Sequence, residues 1–162
     1  MDNNIPKRPG FDQYFIEIAK VVASRSTCLR KKSGAVVVKD KIIIGTGYLG
    51  SSRGSENCID KGVCRMKEAK AAGVQQACAA VCAESNALLN SDPSRMKGAT
   101  IYIAGIEADG SVADSKPCPM CVRMIQNAMV EEVAYVLKSD NSLIKVNVED
   151  LKVLDFLSTR VA

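Results

Sequence analysis

Residues 81–90 read VCAESNALLN, and the triplet Cys82-Ala83-Glu84 does not suit an ordinary core helix. Cys82 and Ala83 belong naturally in an apolar interior, whereas Glu84 carries a carboxylate into it, which is costly unless the group has a partner or a task. The alanines and leucines around the triplet predict a helix over residues 79–90, stopped by Asp92-Pro93. A thiol and a carboxylate at the head of that helix are a metal ligand type and a proton carrier type.

Elements on either side of this helix alternate between α and β periods. Apolar residues at Phe11, Tyr14, Phe15, Ile18, Val21 and Val22 recur at helical spacing, predicting an amphipathic helix over 11–26. The β-branched runs 34–38 and 42–44, separated by Lys39-Asp40-Lys41, predict a tight hairpin of two well-buried strands. Residues 47–78, rich in Gly, Ser, Lys and Cys, read as an irregular surface excursion with weak helical character over 63–72. Thr100–Ala104 is a third strand, and Ala108-Asp109-Gly110-Ser111 a turn. Pro119 suits the first position of a helix reaching Asn127. Strands over 133–137 and 143–146 lie too close in sequence for a crossover helix and should pair antiparallel. A last amphipathic helix is expected over 148–157. Without repeats or linkers, residues 1–162 read as a single domain, an α/β fold with a five-stranded mixed sheet between helical layers.

Composition narrows the chemistry. The chain has 162 residues, a net charge of +4, seven cysteines and no histidine. Any metal must then be held by sulfur and oxygen, and any proton relay must use a carboxylate. No apolar run approaches the roughly 20 residues that cross a membrane, and the N-terminus lacks a signal-peptide core, so the cytosol is the expected compartment. Aromatic residues make up 4% of the chain, with no Trp, which argues against the stacking platforms of a polynucleotide binder.

Cys118-Pro119-Met120-Cys121 places two thiols at the first turn of a helix, where backbone N–H groups favour thiolates. Their spacing suits one tetrahedral zinc ion, and it also suits a redox couple. Cys82, at the head of another helix, supplies a third sulfur. Three protein ligands leave one zinc position open, the layout of a catalytic site, with Glu84 placed as proton shuttle.

The two halves together, Cys82-Ala83-Glu84 and Pro117-Cys118-Pro119-Met120-Cys121, resemble the zinc-dependent nucleobase and nucleoside deaminases, which carry H-x-E or C-x-E followed by P-C-x-x-C. The resemblance implies a three-layer α-β-α sandwich of the cytidine deaminase type. It implies that Cys82, Cys118 and Cys121 hold Zn²⁺, and that Glu84 moves protons during hydrolysis at C4 of a cytosine. The backbone around Ala83 is implied to contact the base. Three thiolates on one Zn²⁺ leave a charge of −1, which two helix N-termini, and Arg123 if it hydrogen-bonds a sulfur, would offset.

Two branches of the family are visible. RSTCLRK (25–31), GTGYLG (45–50), PCPMC (117–121) and residues 123–136 resemble deoxycytidylate deaminases, whereas Cys82, the long connection before Pro117 and the tail 136–156 resemble cytidine deaminases. The reading favours a free nucleotide, deoxycytidylate to deoxyuridylate with release of ammonia. The alternatives are a cytidine or deoxycytidine deaminase and a non-catalytic zinc module. Leu49 stands where deoxycytidylate deaminases show an asparagine that touches the sugar, and leucine cannot make that hydrogen bond. Arg30, Lys31, Lys32 and Arg53 are candidates for a substrate phosphate. The remaining Cys28, Cys58, Cys64 and Cys78 read either as independent thiols or as a second, structural zinc site. By analogy with relatives a homo-oligomer is expected, with Phe156 a candidate for a cross-subunit contact.

Overall fold

The computed structural model describes residues 7–71 and 78–151. In chain order its elements are α1 (Phe11–Ala23), β1 (Lys31–Lys39), β2 (Ile42–Tyr48), β3 (Gly50–Ser51), α2 (Cys58–Lys61), α3 (Arg65–Ala71) and β4 (Ala80–Val81). There follow α4 (Ala83–Leu89), α5 (Pro93–Met96), β5 (Thr100–Glu107), β6 (Val112–Ala113), α6 (Pro119–Asn127), β7 (Glu132–Val136) and β8 (Leu143–Asn147). Five strands form one mixed sheet in the order β2-β1-β5-β7-β8, and β6 pairs with β5 beside that path. Among the described strands only β5 and β7 run parallel, with α6 bridging them as a crossover; the pair β7–β8 is antiparallel, as its short connection predicts.

Alternate side chains of the central strands face opposite helical layers. Val36 and Val38 of β1, Tyr102 and Ala104 of β5, and Ala134 and Val136 of β7 pack on Phe15, Ile16 and Ala19 of α1. On the other face Ala35, Val37, Ile101, Ile103 and Val133 pack on Ala83, Ala87 and Leu88 of α4 and Val122 and Ile125 of α6. The architecture is therefore three layers, with α1 on one face and α4 and α6 on the other. No helix among the described residues is long and apolar enough to cross a membrane.

Two glycines let the layers approach this closely. A methyl group at Gly34 would collide with the backbone of α1 at Ala19 and Ala23. One at Gly47 would collide with the backbone of α4 at Ala87, and would lie 2.5 Å from the Ala83 carbonyl. Gly47 thus sets the distance from β2 to the helix that begins beside Cys82.

Several boundaries depart from the sequence reading. The hairpin is longer, and its turn is made by Asp40 and Lys41, both at positive φ. β1 is buried as expected, but β2 is a sheet edge and leaves Ile42 and Ile43 exposed, because its β-branched residues signal strand propensity without saying how many neighbours the strand has. The first helix ends at Ala23. The helix predicted over 79–90 begins at residue 83, because Ala80 and Val81 pair with Ser51 and Gly50 in a two-stranded ladder. Alanine and valine tolerate either state, and the partner strand decides. The excursion after β2 holds α2, which its composition did not suggest, and α3 within the expected helical stretch. At the other end, Val148–Asp150 forms one 3-10 turn. Leu151 leaves the turn as a buried bend, and residues 152–157 of the helix expected over 148–157, Phe156 included, lie outside the described residues.

Candidate active site

Cys82 and Cys118 occupy equivalent places: each is the extended N-cap of its helix, at φ −61°, ψ 151° and φ −71°, ψ 161°. Pro119 at the first helical position fixes the second start. The Cys121 thiol, one turn on, points back to the same spot. The three sulfurs lie within 4.8 Å of one another, and among the described residues no other group of three or more Cys, Asp or Glu is spaced to share an ion. Tetrahedral zinc with Zn–S bonds of about 2.3 Å separates sulfurs by about 3.8 Å, so the donors fit the ion by kind and by spacing.

The sulfurs share their protons unequally. Hydrogen bonds from Cys121 and Cys82, then the backbone N–H groups of Cys121 and Met120, pull Cys118 well below the usual thiol range. Cys82 and Cys121, tied to the Cys118 sulfur, are pushed up.

Glu84 lies on the first turn of α4, 7% exposed. Burial pushes its carboxyl up to about 7; its own helical N–H and the Lys31 ammonium act the other way, and the charge on Cys118 adds to the rise. A carboxyl poised there can both take and return a proton near neutrality. It opens into a cavity of about 150 Å³ whose wall includes Cys82, Ala83, Cys118, Lys31, Ser33 and Leu49. Cys121 is 1% exposed and is not part of that wall, so the triad meets the cavity through its other two sulfurs.

The other candidates separate. Lys31 stands on this cavity wall, its Nζ donating to the Asp114 carbonyl at 2.6 Å. Arg30 lines a second, larger cavity of about 430 Å³, with its guanidinium 3.1 Å from the Met66 sulfur. Lys32, the next residue along β1, alternates to the opposite side and is exposed. Arg53 lies beside neither cavity: it donates to Asn90 Oδ1 at 2.8 Å in a pocket behind β2. Cys28, Cys58, Cys64 and Cys78 all line the larger cavity, yet no three of them come within the spacing of a shared ion. Arg123 is exposed on α6. A different residue reaches the triad, for Ser85 Oγ lies 3.8 Å from Cys121 Sγ and donates to Met124 Sδ at 3.2 Å. Sequence reasoning also missed Ser33 and Ser115, buried hydroxyls on the wall of the cavity that holds Glu84. Ser33 was recoverable, since it follows Lys31 by two positions and shares its strand face.

The cytidine and deoxycytidylate deaminase zinc-binding region matches residues 9–137 of this chain. The chain belongs to this family. A deoxycytidylate deaminase of Mycobacterium phage D29 is 38% identical over 139 residues, covering 82% of this chain and 98% of the phage protein. A deoxycytidylate deaminase of Schizosaccharomyces pombe is 35% identical over 130 residues, covering 79% of this chain but 37% of the yeast protein. Among solved structures, the cyanophage S-TIM5 dCMP deaminase in complex with dCMP and dUMP superposes with a TM-score of 0.56 at 25% identity, covering 79% of this chain and 82% of that one. The matched zinc-binding region spans the sulfurs that the fold gathers, and the zinc-dependent deaminase chemistry read from the sequence stands.

Proposed function

We propose that this protein hydrolyses deoxycytidylate to deoxyuridylate and ammonia. The observation that carries the proposal is the meeting of three sulfurs and one buried carboxylate on a single cavity, in a family of zinc deaminases. The S-TIM5 relative, crystallised with dCMP and dUMP, points to the nucleotide as substrate.

Held by Cys82, Cys118 and Cys121, zinc supplies a Lewis acid that lowers the pKa of a water. The remaining work falls to the chain. Glu84 Oε accepts a proton from the attacking water, passes it to ring N3, and delivers the second proton to the departing amino group. Water and the cytosine ring thereby become uracil and ammonia. Burial sustains this cycle, because a carboxyl raised towards neutrality gives its proton back. Ala83, buried in the cavity wall, presents backbone to the base. Arg30 and Lys31 receive the phosphate, and Lys32 and Arg53 do not.

Substituting Glu84→Ala should leave zinc bound and lower ammonia release by about 10²- to 10⁴-fold. Undiminished activity would overturn the assignment. A non-catalytic zinc module, which needs no buried carboxylate, predicts instead that the zinc-loaded wild-type protein releases no ammonia from any cytosine nucleoside or nucleotide. Cys82 in place of a histidine and the antiparallel β7–β8 pair favour a second reading, a cytidine or deoxycytidine deaminase. Comparing ammonia release from deoxycytidylate and deoxycytidine decides between them. One zinc per chain is expected; a second equivalent that disappears in Cys58→Ser and Cys64→Ser would place a structural ion in the larger cavity. Cysteines that are all unpaired suit the reducing cytosol. The family analogy extends to a homo-oligomer, which size-exclusion chromatography tests.

A further inference from the structure

The three sulfurs differ in what can donate to them. Cys118 accepts from the backbone N–H groups of Cys121 and Met120, and Cys82 opens on the cavity. Cys121 is 1% exposed and stays out of the cavity wall. It shares hydrogen bonds with Cys118 and Cys82, but those bonds consist of thiol protons. The protons leave when the sulfurs become metal ligands, and the bonds between sulfurs leave with them. Cys121 is then a thiolate shut away from solvent, which is costly unless a protein group donates to it.

Such a group stands on α4. Ser85 follows Glu84, is 8% exposed, and holds its Oγ 3.8 Å from Cys121 Sγ. The same oxygen donates to Met124 Sδ at 3.2 Å. A hydroxyl has one proton to give, and a charged thiolate is a stronger acceptor than a neutral thioether. Both acceptors belong to α6, one turn apart, so rotation about the Cβ–Oγ bond redirects the proton without moving a heavy atom. Unlike the thiol protons, this one stays when the sulfurs bind an ion. Arg123, the candidate that the sequence offered for a bond to sulfur, is exposed on α6.

We propose that Ser85 is a positioning residue for the metal, donating its hydroxyl proton to the Cys121 thiolate. The proposal rests on the three-sulfur zinc site and not on the identity of the substrate. The bond orients the one ligand that the cavity does not reach. It also draws charge from a site that three thiolates make negative, so the ion keeps more of its Lewis acidity. Partners of this kind contribute about 10- to 100-fold in metal affinity.

The test measures zinc affinity of the full-length chain by competition with a chromophoric chelator, together with the thiolate-to-metal charge-transfer band of the cobalt-loaded protein. Ser85→Ala should raise the zinc Kd about tenfold or more and move the cobalt band to longer wavelength, because a sulfur without its donor gives up an electron more easily. Met124→Leu, which removes the competing acceptor and keeps the hydroxyl, should leave both readings close to wild type. A Kd raised less than about fivefold in Ser85→Ala, or an unmoved cobalt band, overturns the proposal. So does an equal loss in Met124→Leu, since the contribution would then be packing between α4 and α6. Neither reading needs turnover. If zinc and cobalt respond as expected but deoxycytidylate releases no ammonia, the assigned activity falls and the role of Ser85 stands. If ammonia is released and Ser85→Ala binds zinc like wild type, the role falls and the activity stands.

Discussion

The substitution Gly47→Ala tests whether β2 sets the position of α4, the helix that carries Glu84. The added methyl would lie 2.5 Å from the Ala83 carbonyl oxygen and 2.6 Å from the Asn86 carbonyl carbon, against an ordinary contact of 3.4 Å or more, and closer still to Ala87 N. All three are backbone atoms, so no rotamer change relieves the overlap and α4 must retreat by about 0.9 Å at Ala83. Overpacking of this kind costs about 3 kcal/mol, which for a chain of this length lowers Tm by about 6–12 °C. The retreat carries Cys82 and Glu84 with it. Metal–ligand distances tolerate about 0.2 Å, and a 1 Å misplacement of catalytic groups can cost about 100-fold in rate. The assay is thermal denaturation alongside zinc content after gel filtration and ammonia release from deoxycytidylate. Gly10→Ala is the control, since nothing lies within 4 Å of a methyl there. A Gly47→Ala protein with unshifted Tm, full zinc and activity within about twofold of wild type would refute the reasoning, for the helix would then be free to adjust without consequence.

Three further outcomes follow from the same geometry. Arg30→Ala should raise KM for deoxycytidylate about tenfold or more while leaving deoxycytidine unaffected, whereas Lys32→Ala should change neither, as steady-state kinetics on both substrates will report. Tyr102 donates to Asp12 Oδ1 at 2.6 Å, and burial first, then that carboxylate, holds its phenol above the usual range. Stability is therefore full below about pH 10, where the unfolded phenol begins to ionise, and falls as pH climbs towards the folded value, by up to about 1.4 kcal/mol per pH unit. Tyr102→Phe should cost about 1 kcal/mol at neutral pH and flatten that alkaline decline in denaturant titrations. Dialysis against a zinc chelator should abolish activity and lower Tm, and added zinc should restore both.

The sulfur cluster was legible because its residue types are rare and their spacing is local. A C-x-x-C on a Pro-started turn brings its own sulfurs together, and Cys82-Ala83-Glu84 violates the apolar logic of its own helix. The core strands were legible for a similar reason, their β-branched runs being consistent at every level. What escaped depends on partners distant in sequence. The exposure of β2 is decided by its edge position, and the late start of α4 by the ladder between Gly50–Ser51 and Ala80–Val81. Charge alone could not sort the basic candidates either. Lys31 and Lys32 look alike in sequence, yet strand alternation sends one to the Glu84 cavity and the other into solvent. Arg53 is retained by an asparagine across α4.

That ladder has an evolutionary meaning. It ties the two ends of segment 52–79 together immediately before Cys82, so the segment is a cassette closed at its base. Lengthening a closed loop is thermodynamically cheap, rising only with the logarithm of its length. Insertions or replacements there can remodel the outer wall bearing Cys58, Cys64 and Cys78 and leave the three sulfurs undisturbed. Substrate preference can thus drift among descendants of this chain while the hydrolytic machinery is inherited intact.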